Sequence, residues 1–308
     1  MSRSWLIGAA FAATFIATAA HAQAPVHYTV SVAQAPAGGA DQAWSQAIAA
    51  ATMPGWYRRA GEGPFSFRSP LSSLYVIVGA HAGFGRDTTL EDADGCGPST
   101  FFISCATPRP SSGLGTGGGG SLGVGTRLTP ALRVAAIFTV EGGYKFNNTT
   151  PWPGSGTFAG QSFVESVSIR SFQGALNTYL DAAGLFAPGA LGRWNPYVMG
   201  GVGIASNATS DMTEYQQIPG VGTVVSQFPG ATHTSFLWTG GIGVQYQLAM
   251  GAVVDLGYQY VDAGRFVANG GGVAETGLDP VRGDLRTHRI GLALNVDLNA
   301  LSRLVTSR

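Results

Sequence analysis

Eight stretches of this chain alternate apolar and small or polar residues with a period of two. In the first, Leu74, Val76, Val78, Ala80, Ala82 and Phe84 interleave with Tyr75, Ile77, Gly79, His81 and Gly83. Successive side chains of an extended strand point to opposite sides, so this period predicts strands with two unlike faces. The second stretch sets Leu122, Val124 and Leu128 against Gly123, Gly125 and Arg127. The third sets Leu132, Val134, Ala136, Phe138, Val140, Tyr144 and Phe146 against Arg133, Thr139, Glu141, Gly143 and Lys145. A fourth spans about 164–180, where the alternation slips near Arg170-Ser171 and predicts a bulge. A fifth covers about 195–206. The sixth sets Phe236, Trp238, Ile242, Val244, Tyr246 and Leu248 against Thr239, Gly241, Gly243, Gln245 and Gln247. The seventh sets Val254, Leu256, Tyr258 and Tyr260 against Asp255, Gly257 and Gln259. The eighth sets Ile290, Leu292, Leu294, Val296 and Leu298 against Arg289, Gly291, Ala293, Asn295 and Asp297.

The connections alternate in length. Thr129-Pro130-Ala131, residues 181–194 and Ala249-Met250-Gly251 are short. Residues 86–120, 147–162, 207–232 and 263–284 are long. Short turns at one end and long loops at the other describe an all-β, closed, up-and-down antiparallel barrel. A soluble barrel binding an apolar ligand turns its apolar face inward, whereas a transmembrane barrel turns it toward lipid. Only 11% of this chain is charged, with 17 basic and 17 acidic residues. The polar face is mainly Gly, Thr, Ser, Gln and Asn, poor for a surface in water but suited to a narrow lumen. The sequence therefore favours the transmembrane form. It places Arg127, Arg133, Glu141, Lys145, Arg170, Asp255, Arg289 and Asp297 in that lumen as an ion-pair plug, or as the lining of a narrow porin-like channel. Phe84, Tyr144, Phe146, Phe236, Trp238, Tyr258 and Tyr260 fall on the apolar face toward the long loops, where an interfacial girdle belongs.

The ends read differently. Arg3, the apolar run Trp5–Ala20 and Ala20-His21-Ala22 form a signal-peptide pattern over 1–22, which predicts export. Residues 23–70 read as an irregular periplasmic-side segment, with a short helix possible over Ala43–Met53. The barrel is expected over 71–298 and a tail over 299–308. In an exported chain Cys96 and Cys105 are expected to pair as a local disulfide. Lys145 is the one lysine, and a neutral chain lacks the basic face that nucleic acid needs.

Trp238-Thr239-Gly240-Gly241-Ile242-Gly243-Val244-Gln245-Tyr246, then a short turn and Gly257-Tyr258-Gln259-Tyr260-Val261-Asp262-Ala263-Gly264, resemble the penultimate hairpin of the OmpA-type and opacity-protein-like outer-membrane barrels of Gram-negative bacteria. Asn195-Pro196-Tyr197-Val198 with Gly200-Gly201-Val202-Gly203 is similar to their fifth strand. The resemblance covers about 72–298. It implies an eight-stranded barrel in the outer membrane, contacts with outer-membrane lipid, and insertion by the barrel assembly machinery. It implies envelope integrity or adhesion to an unidentified surface or host ligand through four long loops. Such barrels usually end in an aromatic residue; here Leu294, Val296 and Leu298 keep the spacing with aliphatic side chains.

Little in the sequence points to an enzyme. His233-Thr234-Ser235 resembles the His-x-Ser of outer-membrane lipid A deacylases, but Phe236-Leu237 follows where that family has Asn-Ala. Gly113-x-Gly115-x-x-Gly118 fits a dinucleotide fingerprint without a βαβ context. The five histidines lack metal-ligand spacing, so neither cofactor nor metal is expected. The first long loop carries Asp87, Glu91, Asp92 and Asp94 against Arg86 and Arg109, an acidic rim that is simply solvated or binds a partner.

Overall fold

The computed structural model describes residues 63–67, 73–91, 112–151, 162–186, 190–218, 222–248, 251–270 and 280–298. The signal-peptide segment, nearly all of 23–70, Cys96, Cys105 and the tail lie outside the described residues. In chain order the strands are β1 (Tyr75–Gly85), β2 (Asp87–Thr88), β3 (Ser112–Gly113), β4 (Thr116–Arg127), β5 (Leu132–Pro151), β6 (Ser162–Asp181), β7 (Trp194–Thr209), β8 (Met212–Ile218), β9 (Gly222–Phe228), β10 (Thr232–Gln247), β11 (Ala252–Ala268) and β12 (Val281–Asp297).

Eight of them close a ring. β1 pairs with both β4 and β12, each partner continues antiparallel to its own neighbour, and the β5–β6 pairing completes the circle. Closure leaves no open edge in the ring, which a hydrocarbon surrounding demands. A tight turn joins β4 to β5, β10 pairs antiparallel with β11, and one helical turn (Ala182–Leu185) sits between β6 and β7. At the other end β8 and β9 form a hairpin. β8 docks on the far end of β6, with Phe163 opposite Gln216. Part of the expected 207–232 loop is therefore sheet, and β5 and β6 carry the ring into the expected 147–162 loop. A tilted strand needs only about 9–11 residues to cross a bilayer. At 20 residues each, β5 and β6 project well beyond that thickness.

Burial separates the two faces. Val78, Leu122, Val124, Phe138, Leu176, Val202, Ile204, Ile242, Leu256, Ile290 and Leu292 are exposed, forming an apolar outer belt. Those on the strands whose faces the sequence resolved (all but Leu176, Val202 and Ile204) lie on the apolar register read from it. Phe84, Phe236, Trp238 and Tyr258 are exposed toward the long-loop end of the belt, and the Tyr260 ring sits tilted against Trp238 with centroids 5.2 Å apart. At the short-turn end Trp194 and Tyr246 pair at 4.7 Å, a second girdle that the sequence reading did not single out.

The third strand departs from expectation. Its register shifts between Glu141 and Tyr144, where Gly143 takes φ +89°. This left-handed conformation suits glycine and makes a bulge. One extra residue reverses the parity beyond it. Tyr144 and Phe146 turn inward and are fully buried, and Lys145 turns outward. Neither aromatic belongs to the girdle, and Lys145 is not a lumen charge. β6 runs without a slip through 170–171, so Arg170 also points outward and is exposed. The apparent slip in β6 has another cause. Past Ser171 its inward residues, Val167 and Ile169, are apolar because the interior itself becomes apolar there. A second bulge, between Asp262 and Arg265 with Gly264 at φ +71°, seats Phe266 and Ala268 inward at the same end.

Candidate functional site: the barrel interior

Inward glycines make room for a few large rings. A Cβ on Gly125 would fall 2.3 Å from Cζ of Tyr75. One on Gly243 would fall 2.3 Å from the Tyr197 hydroxyl, and one on Gly117 would fall 2.8 Å from the Tyr144 ring. The small residues of the alternation are thus the seats of Tyr75, Tyr144 and Tyr197. This is how a narrow barrel fills its lumen without strain.

From the short-turn end, the first layer is ionic. Asp181, fully buried, accepts from Arg127 Nη1 at 2.7 Å and from Arg133 Nε at 2.8 and 2.9 Å. The Arg133 guanidinium lies 4.2 Å from the Tyr179 ring centroid and 4.9 Å from that of Tyr197, within cation–π range. Tyr197 donates to Asp255 Oδ1 at 2.7 Å. Gln245 and Asn295 donate to Asp255 Oδ2 at 2.8 and 3.3 Å. Ionic groups this far from water need such dense hydrogen bonding to offset their desolvation.

The second layer centres on Glu141. It accepts from Arg289 Nη2 at 2.6 Å, from Gln173 Nε2 at 2.7 Å and from the Tyr144 hydroxyl at 3.2 Å, and its other contact is His81 Nε2 at 3.3 Å. Arg289 also donates to Gln173 Oε1 at 2.8 Å. Ser171 and Asn207 extend the network to the carbonyls of Ala263 and Arg265. Between the layers is a cavity of about 100 Å³, bordered by Arg133, Asn177, Thr239, Arg289 and Asn295. Arg133 Nη2, Asn177 Oδ1, Arg289 Nε and Asn295 Oδ1 have no partner among the described residues. The space is polar and roomy enough for several waters to bridge these groups.

Beyond Glu141 the interior is apolar. Leu114, Tyr144, Phe146, Val167, Ile169, Met212, Phe228, Leu237, Phe266, Val281 and Leu285 form one buried cluster at the long-loop end. Two ionic layers, the cavity between them and an apolar cap thus follow one another along the barrel.

Of the eight charges the sequence placed in the lumen, Arg127, Arg133, Glu141, Asp255 and Arg289 are buried inside. Asp297 is half-buried at the rim on the inward register, and Lys145 and Arg170 are outside. The central anion of the first layer, Asp181, was missed. It stands at the start of a connection, before a helical turn, and an aspartate there reads as a cap. Its side chain makes no cap bond and turns into the barrel instead. The odd-numbered register through Asn177 and Tyr179 was the available signal. His81 was on the correct face, but nothing local marked it as a partner of Glu141.

The other motifs resolve simply. Ser235 Oγ donates to the Arg265 carbonyl and accepts from Arg265 N–H, holding the β11 bulge, and His233 is exposed. Gly115, at φ +69°, turns the chain from β3 into β4 and starts no helix.

A closed ring, an apolar outer belt with aromatic girdles, and a charged interior define an eight-stranded outer-membrane β-barrel. No family model matches the chain. It is 33% identical over 72 residues to outer membrane protein PagN of Salmonella typhimurium, an alignment covering 23% of this chain and 28% of that protein. Among solved structures it is similar in fold to OprG from Pseudomonas aeruginosa (TM-score 0.41, 14% identity, covering 73% of this chain and 97% of that one). It is also similar to Neisserial surface protein A (0.36, 14%, 72% and 97%). The outer-membrane protease OmpT from Escherichia coli scores 0.44 at 7% identity, covering 75% and 98%.

Proposed function

We propose that this protein is a non-conducting, non-enzymatic outer-membrane barrel that acts through its long-loop end, in envelope integrity or in attachment to a surface or host ligand. The observation that carries this reading is the filled interior. Ion pairs at Asp181 and Glu141 and the apolar cap around Phe146 and Phe266 place buried side chains across the lumen at three levels, an arrangement that suits a plug better than a solute path. The strands that outrun the bilayer, together with the β8–β9 hairpin, extend hydrogen-bonded sheet at that end, a suitable base for binding loops. The readings of residues 1–22 as an export signal and of Cys96–Cys105 as a loop disulfide fit the same role.

The test is a strain lacking the protein, complemented with the full chain or with a chain in which residues 219–221 and 271–279 are replaced by short Gly-Ser linkers. The full chain should restore detergent resistance or surface adhesion. The trimmed chain should reach the outer membrane in equal amount without restoring it. Equal restoration by both would contradict a role for the long-loop end.

A further inference from the structure

The two cations that leave the lumen fall together on the outer surface. Lys145 on β5 pairs in register with Ser168 on β6, and Arg170 is the next outward residue on that strand, so the two are diagonal neighbours on one face, ~7–8 Å apart. Both are exposed, and among the described residues neither forms an ion pair. On β5 and β6 the other outward residues here, Asn147, Ser166 and Ser168, are neutral, and the connecting residues 152–161 contain no carboxylate. The exposed Asp87, paired with Gly113, is the nearest acidic side chain on the Lys145 side and forms no ion pair with it. The contrast lies on β11 and β12, where outward Arg286 is already held by Asp262 at 3.2 Å and Asp284 at 2.9 Å.

Their height fixes the chemistry of the partner. Directly below them on the outer face are Val140 and Phe172, paired in register and exposed to lipid. From Leu180, at the lower edge of the belt, up to Arg170 the strand climbs roughly 25 Å along the barrel axis, at ~3.3 Å per residue and ~40° tilt. That is the height of the apolar band, so Lys145 and Arg170 stand where hydrocarbon gives way to headgroups on the long-loop side. Two exposed cations beside small hydroxyl and amide donors complement a phosphate.

We propose that Lys145 and Arg170, with Ser168 and Asn147, form a docking site for the phosphate of an outer-leaflet glycolipid. The inference rests on the placement in the outer membrane and is independent of any role of the loops. It is tested by native mass spectrometry of the detergent-folded full chain, titrated with bisphosphorylated lipid A or with its phosphate-free form. Wild type should retain the bisphosphorylated lipid in preference. K145Q/R170Q should retain it roughly 30-fold less, about 5-fold per cation at low salt, while K145R/R170K and R286Q should match wild type. Should the double variant not fold, acetylation of Lys145, the one lysine, in the folded protein should lower retention about 5-fold. Equal retention of both lipids by wild type, or of the bisphosphorylated lipid by wild type and K145Q/R170Q, overturns the proposal. It is likewise overturned if the double variant loses binding of a soluble sulfated oligosaccharide but keeps the lipid.

Discussion

Asp181→Asn is expected to destabilise the folded barrel by about 3–5 kcal/mol, the range for removing one partner of a buried ion pair. Asp181 accepts from two guanidinium groups at once. Without its charge, Arg127 and Arg133 stay buried beside each other with a net positive charge that no carboxylate directly pairs. Arg133 keeps its contacts with the Tyr179 and Tyr197 rings, which do not replace a carboxylate. Arg127→Met should cost less, because Asp181 then still pairs with Arg133. Equilibrium unfolding in urea, in lipid vesicles, reads both variants, and the order of the two is as informative as their size. An Asp181→Asn midpoint within about 1 kcal/mol of wild type would show that the first ionic layer is not a structural element.

Leu292→Arg is the second large effect, about 2–4 kcal/mol, from placing a cation on the lipid face near mid-bilayer. Leu292 is 58% exposed, lies between outward Ile290 and Leu294, and is flanked in register by Ala80 and Leu256. Its in-register neighbours offer no carboxylate to pair with, so the guanidinium must snorkel or thin the bilayer. Leu292→Phe should be tolerated at the same position. The same unfolding assay measures the difference. An arginine variant as stable as wild type would mean that this face does not meet hydrocarbon.

The architecture was legible because a period of two survives in every ring strand, and because one face is too poor in charge to meet water. Connection lengths then gave the topology without any long-range information. What was lost traces to single residues. Gly143 introduces a bulge that reverses Tyr144, Lys145 and Phe146 together, and its signature, Gly142-Gly143 within a strand, looks like the other small inward residues of this chain. Arg170 was misplaced because the apolar cap puts Val167 and Ile169 inside, so the polarity of the inner face changes along β6 while its parity does not. Asp181 was hidden by its position at a chain turn. The partners within the lumen, Glu141 with Arg289 and Asp255 with Tyr197, join residues far apart in sequence. Alternation fixes the face each one occupies, but only the register around the ring fixes which of them meet.

The central claim is that the interior is sealed, and single-channel recording of the purified full chain in planar bilayers tests it most directly. Wild type should insert, as heat-modifiable migration of the same sample on a detergent gel would show, and yield no discrete conductance steps in salt. Reproducible steps from the wild-type protein would contradict the account, in which the Asp181 and Glu141 layers and the apolar cap above them close the lumen to ions.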